Sequence, residues 1–307
     1  MAFVQSPDHY PGFVRICPLL ARRIGRWFRW HSACVFAVMA INALHSASSA
    51  LSALNTSLDV TANNLANMNT SGFKASRANF QDLLYIDRAQ PGTTNANQDQ
   101  RPIGLQVGLG VRVSGTHLDF TQGAAQYTGR PLDLMIEGDG FFEVAVEDSI
   151  SESGTAYTRA GNLSLNSDGE LVLANDQGRR VLPVIQIPPD ATNISIGNDG
   201  VVSVLLEGDT APQEVGQLNI STFVNPAGLM QKGENIFAAT DASGPPNSGA
   251  PGADGRGRVK QNFLENSNVD PTRELIELIR TQRAFEMNSQ SIRSADESLR
   301  TISQLRR

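Results

Sequence analysis

The chain has 307 residues, long enough for one large domain or two modest ones with a substantial core. Aromatic residues are scarce at 6%, while Gly, Asn and Ser are plentiful, as in a chain with many turns. The net charge of −6 hides an asymmetry: residues 1–38 hold Arg15, Arg22, Arg23, Arg26 and Arg29 against Asp8 alone, so the remainder is more acidic than the whole. An acidic body with scattered Lys and Arg offers no phosphate-tracking patch, which argues against a nucleic-acid partner.

Both cysteines (Cys17, Cys34) and both tryptophans (Trp27, Trp30) fall in that basic segment. From Met39 onward no disulfide is needed, which permits passage between redox compartments. The Arg-rich stretch 22–29 followed by His31–Leu44 has the shape of a secretory signal, with Ala47–Ala50 as a cleavage site. The apolar run is too short and interrupted for a spanning helix. The favoured alternative treats residues 1–38 as an upstream extension and Met39 as the biological start, because cleavage would remove the first positions of the stripe described next.

Leu44, Ala47, Leu51, Leu54, Leu58, Thr61, Leu65 and Met68 recur in steps of three and four, one narrow face of a helix over 40–69. The cluster Asn67, Asn69, Thr70, Ser71 and Gly72 ends it. Phe73–Tyr85 reads as a short helix or an extended arm, and 86–104, with Pro91-Gly92 and Pro102, as a loop or linker. From Leu105 to about Ala239 the pattern changes to short β-prone runs. Val107, Leu109, Val111 and Val113 alternate as a half-buried strand. Three Asp-Gly turns follow, each between β-prone runs and each read as a hairpin: Glu137–Gly140, Asn166–Gly169 and Gly197–Gly200.

Residues 241–258 are mostly Gly, Pro, Ser, Asn and Ala with almost nothing apolar, and read as a mobile or extended return linker. Asp270-Pro271-Thr272 opens a closing helix, Asp as cap and Pro at the first position. Its stripe is Leu275, Leu278, Gln282, Phe285, Ser289 and Ile292, slipping register to Ala295, Leu299 and Ile302. A single apolar stripe is ordinarily a core face. Two at opposite ends of the chain, neither rich enough to stand alone, point to packing on each other or on neighbouring subunits. The expected fold is α+β: N- and C-terminal helices pairing as a coiled-coil layer, with an inserted antiparallel β domain. The expected division is 1–38 extension, 39–85 helical segment, 86–104 linker, 105–240 β-rich domain, 241–262 linker and 263–307 C-terminal helix.

Chemistry is thinly supported. His9, His31, His45 and His117 are the only histidines, none beside a matching ligand or nucleophile. No HExxH, CxxC, GxSxG or P-loop occurs, and Gly108-Leu109-Gly110 precedes no helix. Asn166, Asp168 and Glu170 have one calcium-like spacing without the rest of a loop, so a plain turn is the simpler reading. Glu147, Asp148 and Glu152 read as loop surface rather than an acid–base pair. No catalytic residue, cofactor, metal or small-molecule substrate is expected.

Ala62-Asn63-Asn64-Leu65-Ala66-Asn67, followed by Asn69-Thr70-Ser71-Gly72-Phe73-Lys74, resembles the signature of the rod and hook group of bacterial flagellar axial proteins. Asn63, Asn64, Leu65, Asn67, Gly72 and Phe73 carry that motif. Ile136–Phe142, Tyr157-Thr158-Arg159-Ala160-Gly161, Glu265–Asp270 and Arg280–Glu286 extend the resemblance in the same order from about Met39 to the end. Within the group the chain is most similar to the distal-rod branch, through Phe80–Tyr85, Gly104–Val111, Gln217–Asn219, Phe223–Asn225 and Gly233–Asn235; the proximal rod is the runner-up. The resemblance implies export through the flagellar type III apparatus and self-assembly into a helical homopolymer, with the terminal helices inside and the β domain outside. The implied partners are proximal rod proteins, the hook protein and the surrounding L and P rings. A secreted periplasmic β-rich binding protein and an envelope hydrolase are the competing classes.

Overall fold

The computed structural model describes residues 18–93, 99–149, 151, 153–208 and 211–304, with side chains outside 18–41 and 302. The extension's residues 1–17, the candidate Glu152 and the side chain of the stripe residue Ile302 therefore lie outside the described residues.

Two long helices, α1 (Pro18–Ala66) and α2 (Pro271–Gln304), enclose in sequence a run of mostly antiparallel strands. α1 begins well before the expected residue 40. Pro18 opens it at the first helical position, and only Gly25 interrupts the helix-compatible run that follows. It ends as expected at the asparagine cluster, where the Asn67 side-chain Nδ2 donates to the Asn63 backbone carbonyl (2.9 Å) and side-chain oxygen (3.0 Å). At α2, Asp270 Oδ1 accepts from the Thr272 and Arg273 amides (3.0 and 3.4 Å), the cap anticipated for Asp-Pro-Thr.

The chain divides into two compact units. The first comprises residues 1–52, 82–112 and 285–307. Here the expected linker 86–104 holds a strand: Tyr85–Ala89 pairs antiparallel with Leu105–Gly108. The single alternating strand expected through Val113 is broken at Gly110, whose φ is +116°. A Cβ there would lie 2.2 Å from Ser49 Oγ, so only glycine lets the hairpin base approach the small-residue face of α1. Ser49 Oγ accepts from the Val111 amide (3.3 Å), and the His45 ring nitrogen Nδ1 lies 3.3 Å from the Leu109 carbonyl.

The second unit, residues 53–81 and 113–284, carries the main core. Its largest sheet runs Met230–Gly233, Ile236–Ala238, Thr155–Thr158, Phe141–Ala145, Ile220–Thr222 and Asn247–Gly249, with Val181–Leu182 also paired to Phe141–Ala145. Alternation along Phe141–Ala145 serves two cores. Phe142 and Val144 join the aliphatic cluster of Leu134, Leu163, Val202 and Ile220. Phe141 joins Tyr157, Phe223 and Phe237, with edge-on ring contacts of 4.7–5.9 Å. The arm after α1 is extended, Ser76–Asp82, not helical.

Two of the three Asp-Gly hairpins form as read: Leu165 faces Leu171 across Asn166–Gly169, and Ile196 faces Val202 across Gly197–Gly200. Asn166 Oδ1 accepts from the Asp168 and Glu170 amides (2.6 and 3.2 Å), tying its oxygen up in the turn. The third does not form. Leu134–Glu137 pairs with Arg258–Gln261, while Phe141–Ala145 goes to the large sheet. Gly138 and Gly140 (φ +103° and +141°) turn the chain between sheets, and a Cβ on Gly140 would collide with Ile220.

The expected linker 241–258 is likewise part of the fold. Asn247–Gly249 extends the large sheet, Ser243 is fully buried, and the Arg256 side chain packs on Gly249 while donating to the Ala250 carbonyl (3.1 Å). Backbone pairing and one buried arginine supply what its apolar content does not. Phe263–Glu265, placed in the C-terminal helical segment by sequence, is a strand paired with Ala125–Tyr127.

Candidate functional site

In the second unit, three motif stretches far apart in sequence meet: 71–76 after α1, 158–161 at the end of the strand Thr155–Thr158 and just beyond it, and 265–268 before α2, with 119–124 alongside. At their centre lies Glu265, fully buried. Its Oε1 accepts from Lys74 Nζ (2.6 Å) and the Gly123 amide (2.9 Å), and its Oε2 from Arg159 Nη1 (3.2 Å). Lys74, also fully buried, donates to the Thr121 carbonyl (2.7 Å), and Arg159 to the Gly138 carbonyl (2.8 Å). The Arg159 guanidinium lies 5.5 Å from the Phe141 ring centroid, and its Nε finds no partner among the described residues. Burial pushes the Lys74 ammonium below the ordinary lysine range; Glu265 opposes that shift and Arg159 reinforces it. Two cations thus share one anion out of water, an arrangement that depends on the anion staying in place.

The backbone around the cluster explains its glycines. Gly72 has φ +72°, and a Cβ on it would lie 2.6 Å from the Ala160 nitrogen. Its amide donates to the Glu265 carbonyl (2.8 Å). Gly161 sits so close to Leu134 that a Cβ would lie 1.8 Å from that carbonyl oxygen. Asn64, 2% exposed on α1, clamps Ser76 by accepting from its amide (3.0 Å) and donating to its carbonyl (2.8 Å). Asn268 does the same work from the other end, accepting from the Ala75 amide (2.7 Å) and donating to the Asp119 carbonyl (2.8 Å).

Beside this junction a groove of about 930 Å³ runs between the last turns of α1 (Ser57, Val60, Thr61, Asn64) and the first turns of α2 (Arg273, Glu274, Ile276, Glu277, Arg280). Burial raises the Glu274 carboxyl above the usual range, against the hydrogen bond that Asn64 gives it.

Of the stripe residues on α1, Ala47 is buried, Leu44, Leu51, Leu54, Leu58 and Leu65 are half-buried, and Met68 is exposed. On α2, Leu278, Phe285, Ile292 and Leu299 are half-buried, while Leu275 is exposed. Ile276, Ile279 and Met287, outside the expected stripe, are 46%, 48% and 66% exposed, so α2 carries a second open apolar face. Within the motif, Asn64, Gly72 and Phe73 are buried, Leu65 and Asn67 half-buried, and Asn63 exposed. Sequence reasoning quoted Arg159, Gly161, Glu265 and Asn268 in motifs without giving them a role. Their position in separate motifs was the only signal, since nothing local says that a charge at 74 meets one at 265. Glu147 and Asp148 are exposed, as loop surface. The buried cluster has its ionic groups paired and sealed from solvent, so it can hold segments together but cannot turn over a substrate.

The family models that match describe one class, flagellar rod and hook proteins: "Flagella basal body rod protein" over 44–74, "Flagellar hook protein FlgE/F/G D1 domain" over 135–204, and "Flagellar basal body rod FlgEFG protein C-terminal" over 260–305. The chain is 44% identical over 249 residues to the flagellar basal-body rod protein FlgG of Buchnera aphidicola subsp. Schizaphis graminum, covering 81% of this chain and 94% of that protein. It is 42% identical over 261 residues to the Bacillus subtilis FlgG, covering 82% and 94%. Against the rod protein FlgF of Caulobacter vibrioides, identity is 33% over 241 residues, covering 76% and 84%. The chain belongs to the FlgG family of flagellar basal-body rod proteins.

Proposed function

We propose that this protein is the structural subunit of the distal rod of the bacterial flagellum. It is exported by the flagellar apparatus and polymerises in the basal body into a helical tube that transmits torque across the periplasm and conducts later exported proteins. It is a structural protein and not an enzyme. The observation that carries the reading is the state of its helices. The stripes stay half-exposed in the single chain, and α2 adds Ile276, Ile279 and Met287 on an open face. Apolar surface of this extent on a helix is covered by a partner. A neighbouring copy using a different patch on each side generates an open helical polymer.

In this reading, Leu44, Ala47, Leu51, Leu54, Leu58, Leu65 and Met68 on α1, and Leu275, Leu278, Phe285, Ile292 and Leu299 on α2, form a coiled-coil inner layer. The helices α1 and α2 build that layer, and the β-rich 105–240 faces outward. Proximal rod proteins, the hook protein and the L and P rings are the heterologous partners. The identity of 44% to FlgG, higher than the 33% to FlgF, supports the distal-rod reading. The test is Leu54→Asp with Leu58→Asp, which places two charges on the stripe. The variant is expected to be absent from purified basal bodies while its β domain stays folded. Normal incorporation would overturn the seam.

A further inference from the structure

We propose that the Lys74–Glu265–Arg159 cluster is a one-way latch: the segment after α1 (71–76) docks only once the segment before α2 (263–268) is in place. The idea concerns the single subunit and goes beyond the assembly reading.

The two segments are anchored unequally. The C-terminal segment holds the β domain by itself. Phe263–Glu265 pairs with Ala125–Tyr127, the Asn266 amide donates to the Ala124 carbonyl (2.9 Å), and Glu265 takes Arg159 and the Gly123 amide. With 71–76 lifted away, Glu265 and Arg159 remain a one-to-one pair. The N-terminal segment instead depends on the C-terminal one. The Gly72 amide donates to the Glu265 carbonyl, the Ala75 amide to Asn268 Oδ1, and Lys74 to the Glu265 carboxylate. Without residues 263–268, Lys74 would be buried beside Arg159 with no anion between them. An unpaired buried charge is among the costliest arrangements in a fold: Lys74 would have to stay at the cost of its proton or leave, and leaving draws 71–76 with it. The other ties are the Asp119 amide to the Ala75 carbonyl, Asn235 to the Ser71 carbonyl, Lys74 to the Thr121 carbonyl, the buried Phe73 ring and, from Ser76 on, the pairing of Ser76–Asp82 with Val111–Leu118; none of them supplies an anion for Lys74. Consequently, residues 71–75, the link between the end of α1 and the strand Ser76–Asp82, lock onto the β domain only in a chain whose C-terminal segment is already docked. A subunit missing that segment cannot present both helices in a fixed setting.

Hydrogen exchange on the full chain tests this by comparing peptides over 71–76, 263–268 and the core strand Phe141–Ala145. In Glu265→Gln, protection over 71–76 is expected to fall about a hundredfold or more. In Lys74→Met, which removes a charge and leaves the Glu265–Arg159 pair, 263–268 should keep its protection. The double variant Lys74→Met/Glu265→Gln has no lysine to expel, so 71–76 should regain protection relative to Glu265→Gln. That comparison holds even if the single variant loosens the core strand. Undiminished protection over 71–76 in Glu265→Gln would overturn the latch. So would loss over 263–268 in Lys74→Met, or a double variant no better protected over 71–76 than Glu265→Gln.

Discussion

Gly72→Ala is the sharpest perturbation of the motif junction, and Gly92→Ala is its matched control. Both glycines have left-handed backbone, φ +72° and +80°, so alanine costs about 1–2 kcal/mol at either. At Gly92 nothing lies within 4 Å of the added methyl. At Gly72 the methyl would meet the Ala160 nitrogen at 2.6 Å, the Arg159 carbonyl carbon at 2.8 Å and Ala160 Cα at 2.9 Å, all backbone atoms just beyond the strand Thr155–Thr158, which cannot swing aside as a side chain could. Relief requires moving the 71–76 segment outward by several tenths of an ångström. Overpacking of this kind costs about 1–3 kcal/mol. The same movement stretches the Gly72–Glu265 bond of 2.8 Å, a loss of roughly 1 kcal/mol. The total for Gly72→Ala is therefore about 3–6 kcal/mol against about 1–2 for Gly92→Ala. At roughly 2–4 °C per kcal/mol for a unit of this size, calorimetry should show the β-domain transition lowered by at least about 6 °C in Gly72→Ala, while the cost of Gly92→Ala, in the first unit, is read on that unit's own unfolding. A difference between the two variants below about 1 kcal/mol would refute the close approach, and with it the packing of the first motif on Arg159-Ala160.

Further outcomes follow from the same contacts. Phe142→Ala empties a fully buried site and should cost about 3–5 kcal/mol by denaturant titration, whereas Val224→Ala, at 92% exposure, should stay within about 0.5 kcal/mol. Asn64→Ala strips both partners from the Ser76 backbone and should lower stability by about 1–3 kcal/mol, with faster exchange confined to 75–77; unchanged exchange there would deny the clamp. Asp270→Ala removes the α2 cap and should cost about 1 kcal/mol, read as increased exchange in the first turn of the helix. Glu274→Gln tests the half-buried carboxyl. Its folded pKa is raised by burial, so its favourable contribution is present below the ordinary glutamate range and lost as pH rises through the folded value. The variant should match the parent near about pH 4 and gain on it by about pH 7; a gap that does not change with pH would contradict the burial argument.

What the sequence determined by itself was the local grammar. The three-and-four spacing, the Asn cluster after Ala66 and Asp270-Pro271 set two helix ends, because capping and helical periodicity are satisfied within a few residues. Asn166–Gly169 and Gly197–Gly200 made hairpins for the same reason: positive φ at the closing glycine turns a chain whose flanking strands are already neighbours. Glu137–Gly140 has the same letters but not the same fate. Leu134–Glu137 found Arg258–Gln261, and Phe141–Ala145 found the centre of the large sheet, partners that no local pattern names. Residues 241–258 lack apolar side chains, yet edge pairing and the buried Arg256 hold them, a stabilisation that composition does not encode. The motif residues were legible as a set, but their meeting was not. Lys74 and Glu265 stand 191 residues apart, and a buried charge has no meaning until the chain closes and supplies its counter-charge. Only tertiary structure decided that, because desolvation acts on positions in space and not on positions along the chain.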